Sequence, residues 1–320
     1  MITIIMRVFI FLCCFLFSLQ GYAEPATFQQ AKKILKEQVY FDRASSDFGT
    51  LYCGCNWDWV GQSGGRTDLE RCGYQTRAQP NRAKRIEYEH IVPAHSLGQQ
   101  RQCWQQGGRK NCVRTDPVFN RMHVDLRNLS ISVGEYNADR SNFRFSMLPD
   151  TPFQHGACPS KVDFKQRAAE PRDKSKGLVA RTYFYMHDRY NLPMSRSQQQ
   201  LMMAWDKQYP PSPWELERER RLTRAMRHAN PFLSGEKSWV LGHKNSGAGL
   251  KGFEARAVQP LTRQSLQDND GIRGNKNSRV YHLPTGCPSY NAMALHNRVF
   301  FSSESEAVSA GYRKAGNCRK

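Results

Sequence analysis

The sequence predicts an α+β fold in which helix dominates, and three observations carry that reading. Four stretches repeat apolar residues at helical spacing, one segment alternates charged and apolar residues as a half-buried strand does, and the cysteines are even in number on a chain that opens with an export signal. In residues 26–40 the apolar positions are Phe28, Ala31, Ile34, Leu35 and Val39, one face of a helix. Residues 178–190, 196–207 and 214–228 also read as helices, the last with interleaved Glu and Arg that suit an exposed face. Arg85 to Val92 is the strand, ended by Pro93, which cannot donate to a sheet ladder.

At the N-terminus Arg7 precedes the apolar run Val8 to Leu19, and Gly21-Tyr22-Ala23 supplies small residues for cleavage, so residues 1–23 read as a signal peptide. The run is shorter than the roughly 20 residues of a spanning helix, which argues against a membrane anchor. Cys13 and Cys14 fall inside it and receive no role in the mature chain. The other eight of the ten cysteines, Cys53, Cys55, Cys72, Cys103, Cys112, Cys158, Cys287 and Cys318, read as disulfide partners in periplasm or medium. No Cys-x-x-Cys pair occurs and Cys53-Gly54-Cys55 is too tight for a zinc knuckle, so zinc is not expected.

Lys plus Arg outnumber Asp plus Glu 47 to 28, and a formal charge of +19 points to a polyanionic partner. Charge alone serves anionic lipid as well as nucleic acid, so motifs must choose. Residues 24–234 read as one domain without low-complexity breaks. Residues 235–275, rich in Gly, Ser, Asn and Lys, read as a flexible linker. Residues 276–320 regain apolar character in Val280-Tyr281-His282-Leu283 and Arg298-Val299-Phe300-Phe301, then show a helical Glu304 to Tyr312, and form a second, very small domain.

The first chemical candidate is Glu87-Tyr88-Glu89-His90-Ile91-Val92-Pro93, which sets a carboxylate beside an imidazole at a strand end. Adjacent strand residues face opposite sides, so Glu89 and His90 can share one site only where the strand twists or stops. Pro93 provides such a stop, and it also rules out the single helical face that His90 and His95 would need as metalloprotease ligands. The second candidate is Cys103 to Cys112, where Gly107-Gly108 mark a turn and the flanking cysteines are close enough to bond and hold Arg109 rigidly. Arginine suits a phosphate because its planar fork makes two parallel hydrogen bonds, although a stapled hairpin with a solvated Arg109 is the plain alternative. The third is Asp125-Leu126-Arg127-Asn128-Leu129 with Gly134-Glu135-Tyr136-Asn137, whose Asn residues taken singly read as caps or turns.

In this order and spacing the segments resemble the bacterial endonuclease I family of secreted or periplasmic nucleases, of the ββα-metal (His-Me finger) superfamily. The resemblance spans about residues 26–232 and includes Leu51-Tyr52-Cys53-Gly54-Cys55, Lys161-Val162-Asp163-Phe164, Ala180 to Met186 and Asn230-Pro231-Phe232. It implies a ββα-metal core, His90 as general base, Glu89 and Asn137 on one divalent cation, and Arg109 on the scissile phosphate. A neutral imidazole suits proton removal near neutral pH, and Mg²⁺, or Ca²⁺ or Mn²⁺ in its place, takes few protein oxygens. Glu87, on the same strand face as Glu89, is a candidate to steady a metal ligand from behind without touching the metal. The family commonly has a further cysteine pair near the end of the domain, where this chain has Leu216, so one staple is expected to be missing. That leaves Cys103 with Cys112, and the pairing among Cys53, Cys55, Cys72 and Cys158 open.

The tail, from Tyr281-His282-Leu283-Pro284-Thr285-Gly286-Cys287 to Cys318, resembles the metal-binding domain of the Ada DNA-repair protein, which holds zinc with four cysteines. Only Cys287 and Cys318 remain, so a disulfide between them is expected instead, contributing about 3 to 4 kcal/mol by chain entropy. Lys276, Arg279, Arg298, Arg313, Lys314, Arg319 and Lys320 suggest auxiliary contact with nucleic acid. The function expected is a monomeric secreted endonuclease that hydrolyses phosphodiester bonds of DNA and leaves 5′-phosphate ends. RNA stays open as a substrate because phosphate and metal contacts read no base. The alternative is a non-catalytic nucleic-acid-binding protein that retains the fold; such a binder has no need of Glu89 and His90 together.

Overall fold

The computed structural model describes residues 25–251, 271–294, 297–301 and 303–318. The signal segment, residues 252–270 of the expected linker, Arg319 and Lys320 lie outside the described residues. The chain divides between Lys251 and Gly252 into two units.

The first unit is mixed α and β. Helix α1 (Phe28–Ile34) starts at a reciprocal cap, in which the Thr27 hydroxyl accepts from Gln30 N and the Gln30 amide oxygen accepts from Thr27 N, and it runs on as a π-helical turn through Leu35–Val39. A hairpin of β1 (Trp57–Val60) and β2 (Gly64–Thr67) and a short α2 (Pro80–Ala83) lead to the strand expected before Pro93, β3 (Ile86–His90). It pairs antiparallel with β4 (Leu129–Val133), Ile86 opposite Val133 and His90 opposite Leu129. Between them lie α3 (Ala94–Gly98), α4 (Gln102–Gln105), α5 (Gly108–Thr115) and α6 (Pro117–His123). Helix α7 (Gly134–Arg140) leaves β4 without a loop. A small sheet of β5 (Arg144–Phe145), β6 (Lys161–Asp163) and β7 (Ala168–Glu170), in the order β5-β7-β6, precedes α8 (Asp173–Arg189), α9 (Arg196–Gln208) and α10 (Pro213–Met226).

Alternation along β3 sorts the core. Ile86 and Tyr88, with Leu129 and Ile131 of β4, join Ala31, Leu35, Val39, Leu222 and Met226 in one apolar cluster, and α8 and α9 form the other with Val179, Phe184, Met202 and Trp205. Helix α8 starts at Asp173, five residues before the apolar stretch at 178. Asp173 and Lys174 of its first turn are exposed, and Lys176 can be buried because its ammonium is neutralised by Glu170 at 2.7 Å and Asp173 at 2.8 Å. Gly177 lets the backbone at Tyr209 pack close against α8, since a Cβ there would lie 2.1 Å from the Tyr209 carbonyl oxygen. Disulfides join Cys53 to Cys158, Cys55 to Cys72 and Cys103 to Cys112. The first closes 105 residues of sequence separation and so removes the most freedom from the unfolded chain.

The expected boundary at 234 does not match the packing. Residues up to Lys251 lie on the first unit: Trp239 is buried, stacks on Phe184 at 5.0 Å between ring centres, and donates from Nε1 to Gln199 at 3.1 Å. The Asp188 carboxylate binds His243 at 2.8 Å and the Ser246 hydroxyl at 2.7 Å. A glycine-rich composition hid this because one tryptophan and one buried carboxylate, not an apolar face, hold the segment.

The second unit is a sheet in the order β10-β8-β9-β11, built from β8 (Ile272–Asn275), β9 (Val280–His282), β10 (Arg298–Phe301) and β11 (Arg313–Lys314). With α11 (Glu304–Ser309) it encloses Ile272, Tyr281, Phe301, Ala307 and Tyr312. Cys287 and Cys318 are disulfide-bonded.

Trp239→Ala is expected to lower unfolding free energy in denaturant titration by about 3 kcal/mol, the cost of emptying a buried aromatic site. A loss below about 0.5 kcal/mol, as for an exposed linker residue, contradicts the packing described.

Candidate active site

The site forms where β3 stops. Its groove, with a cavity of about 430 Å³, is lined by Glu89, His90, Asn137 and Arg109, and also by Arg82, His95 and Trp104. All four residues singled out in the sequence therefore meet. Larger cavities elsewhere, such as the one of about 910 Å³ beside Trp214 and Tyr209, contain none of them.

Glu89 and His90 share the groove despite facing opposite ways along the strand, because Arg140 holds the backbone in its turn toward Pro93. The Arg140 guanidinium is fully buried and donates to Glu89 Oε1 at 2.9 Å, to the His90 carbonyl at 2.9 Å and to the Ile91 carbonyl at 2.6 Å. Tyr52 donates to the same Glu89 oxygen at 2.7 Å. Burial pushes the Glu89 carboxyl above its ordinary range, opposed mainly by the charge of Arg140.

Asn137 lies on α7, whose start is fixed by close packing: Gly134 N donates to the Arg85 carbonyl at 2.9 Å, and a Cβ on Gly134 would come within 2.5 Å of the Arg82 carbonyl oxygen. The Asn137 amide nitrogen donates to Glu87 at 2.8 Å, while Arg82 and Arg85 also bind Glu87. Glu87 thus orients the amide, and the Asn137 oxygen is the end left to face a ligand.

His90 Nε2 lies 2.8 Å from the carbonyl oxygen of His123 and 2.9 Å from His123 Nδ1. A carbonyl can only accept, so Nε2 carries the hydrogen and the lone pair sits on Nδ1. The ring stacks on Phe28 of α1 and on His123, at 5.3 and 4.7 Å between centres. Burial, then the neighbouring His123 and Arg109, hold His90 well below the usual imidazole range, so it is neutral at neutral pH.

Arg109 begins the second turn-flanking helix, not a β-hairpin. Gly107 and Gly108, both at positive φ, join α4 to α5, and the Cys103–Cys112 disulfide ties the two helices. Arg109 is an exposed residue overall, but its guanidinium lies over the Phe28 ring at 5.6 Å and is partly desolvated there, which lowers its pKa.

Sequence reading did not single out His123, Arg140, Tyr52 or Phe28 as parts of the site. Tyr52 stood within a quoted motif and Arg140 three residues beyond one, but their service to Glu89 crosses 37 and 51 residues of chain. Phe28 read correctly as an apolar helix position, and that periodicity gives no hint that its ring faces an imidazole.

Arg140→Met should cost about 3–5 kcal/mol of unfolding free energy, because it strands the buried Glu89 charge. Adding Glu89→Gln should recover part of that loss. A single-variant loss under about 1 kcal/mol would show that the pair does not hold the site.

Residues 27–236 match the family model for endonuclease I. An extracellular deoxyribonuclease of Aeromonas hydrophila is 46% identical over 208 residues, 65% of this chain and 88% of that protein. A periplasmic deoxyribonuclease of the same species is 45% identical over 211 residues, 66% and 86% of the two chains. Endonuclease-1 of Buchnera aphidicola subsp. Acyrthosiphon pisum is 42% identical over 185 residues, 58% and 73%. On the family match and these relatives, the chain belongs to the endonuclease I family and is an endonuclease.

Proposed function

We propose that the protein is an exported, metal-dependent endonuclease of DNA, with β3, β4 and α7 as a ββα-metal core. The observation that carries the reading is the 2.8 Å contact of His90 Nε2 with the His123 carbonyl oxygen, which leaves the Nδ1 lone pair to a ring that lines the groove beside Glu89. The export reading draws on the names of the relatives, and no described helix is long and apolar enough to cross a membrane.

The residues fit a single hard cation. Glu89 is a buried carboxylate held above its usual range, a state that a divalent charge would relieve, and Asn137 offers an amide oxygen whose orientation Glu87 fixes. Glu89 and Asn137 would hold Mg²⁺, or Mn²⁺ or Ca²⁺ in its place. When bound, the cation supplies positive charge at the phosphate and the leaving oxygen. The chain's own residues do the rest. Arg109 binds the scissile phosphate through its fork, and its position over Phe28 keeps it within reach of the base. His90 Nδ1 takes the proton of the attacking water, and the resulting imidazolium keeps its Nε2–H on the His123 carbonyl. Attack opposite the 3′ oxygen leaves a 5′-phosphate end.

None of these contacts reads a base, so DNA preference rests on the relatives' names, and RNA cleavage is an outcome to measure. In the second unit, Lys276, Arg279, Arg313 and Lys314 are exposed and Arg298 is half-buried, against Glu304 and Glu306. We assign it auxiliary contact with the phosphate backbone.

His90→Ala should reduce nicking of supercoiled plasmid at least about 100-fold while DNA affinity without metal stays within about twofold, because the imidazole moves a proton and adds no charge. Wild-type nicking in excess chelator, or equal loss of binding and cleavage in the variant, contradicts these roles. Ending the chain after Lys251 should flatten the dependence of DNA affinity on salt. An unchanged slope rejects the auxiliary contact.

A further inference from the structure

His123 contributes two acceptors to the base, and only one of them is backbone. It is the last residue of α6, where carbonyls lack an intrahelical donor, and this frees its oxygen for His90 Nε2. The same residue turns its ring back toward the end of β3, behind the groove, so that Nδ1 reaches His90 Nε2 at 2.9 Å. Ring position is set by packing. Phe119, one turn earlier on α6, stacks on His123 at 5.6 Å, Phe28 of α1 at 5.0 Å and His90 itself at 4.7 Å with planes 11° apart. Only 3% of the residue is exposed.

We propose that the His123 side chain is a positioning residue for the reaction, a neutral second acceptor that shares the His90 Nε2–H with the carbonyl oxygen. This rests on the reading of His90 as the base.

The arrangement has a definite proton inventory. With His90 donating from Nε2, His123 Nδ1 must be bare, which puts the His123 hydrogen on Nε2. That atom lies 3.4 Å from an Arg109 Nη2, which also only donates, so the two face each other without a hydrogen bond. Arg109 is therefore left free to take an anion. Burial lowers the His123 pKa to about 3, so the ring stays neutral and accepting. When a water proton moves to His90 Nδ1, one O–H bond breaks and one N–H bond forms. The positive charge that results spreads to Nε2–H, where two acceptors instead of one stabilise it. A carboxylate does this for the histidine of hydrolytic triads; a buried imidazole does it here without adding a negative charge that would repel the phosphate.

Two substitutions separate this role from packing. His123→Phe keeps the stacked ring and the backbone carbonyl but removes Nδ1. His123→Asn sets an amide oxygen near the Nδ1 position and gives up the ring. On plasmid DNA, His123→Phe should lower kcat at least tenfold with KM within twofold, while His123→Asn recovers most of the loss. In NMR of the wild type His90 should show a single Nε2–H tautomer, which the backbone carbonyl keeps in His123→Phe, while the Nε2–H proton resonance moves upfield as the second acceptor is lost. Full kcat in His123→Phe overturns the proposal. So does equal loss in both variants with an unchanged His90 Nε2–H proton shift, which would mark His123 as packing alone. A fully active His90→Ala would instead defeat the base assignment, an outcome distinct from either.

Discussion

The site depends on one buried contact, the Arg140 guanidinium under the end of β3. A strand that continued regularly would send Glu89 and His90 to opposite faces. Arg140 satisfies the Glu89 carboxylate and two consecutive carbonyls, those of His90 and Ile91, and so fixes the chain where the ladder stops. The charge pair is fully desolvated, which is costly unless geometry is good and the remaining donors are used. Three bonds from the two terminal nitrogens and a fourth from Tyr52 to Glu89 offset most of that cost, and Arg140 Nε is left buried without a partner among the described residues. The same helix that carries Arg140 carries Asn137 one turn earlier, so the contact that orients one proposed metal ligand also places the other.

Around this contact the rigidity comes from three sources. Glu87 anchors Asn137 from β3, the Cys103–Cys112 disulfide anchors the helices that present Arg109, and the aromatic stack of Phe28, His90, His123 and Phe119 anchors the proposed base, His90. These belong to elements far apart in sequence, and none requires a ligand to form. A hydrolytic centre that has to work on a flexible, highly charged polymer gains from such preorganisation, because the enzyme does not spend binding energy on ordering its own groups.

The sequence made the local part of this legible. Alternation from Arg85 with Pro93 as a stop located the strand, and helical spacing located α1, α9 and α10 to within a few residues. The carboxylate, imidazole and guanidinium stood out as candidates by their chemistry, but their roles, and Asn137 as a ligand, came from the resemblance to the endonuclease I family. What stayed hidden were partnerships across the chain: the pairing of Cys53 with Cys158, the reach of Tyr52 and Arg140 to Glu89, and the ring of His123 against His90. Periodicity reports which face a residue occupies and nothing about which distant element covers that face. The segment after 234 failed for a related reason. Its composition promised no core, yet Trp239 and the bonds around Asp188 hold it down.

The central claim is that Glu89 and Asn137 together form the seat of one divalent cation. Anomalous diffraction from crystals soaked in Mn²⁺ tests it directly. The account predicts a single strong peak within coordination distance of a Glu89 carboxylate oxygen and of Asn137 Oδ1, and no peak there in Glu89→Gln. A peak bound elsewhere in the groove, or none in the wild type at millimolar Mn²⁺, would contradict it.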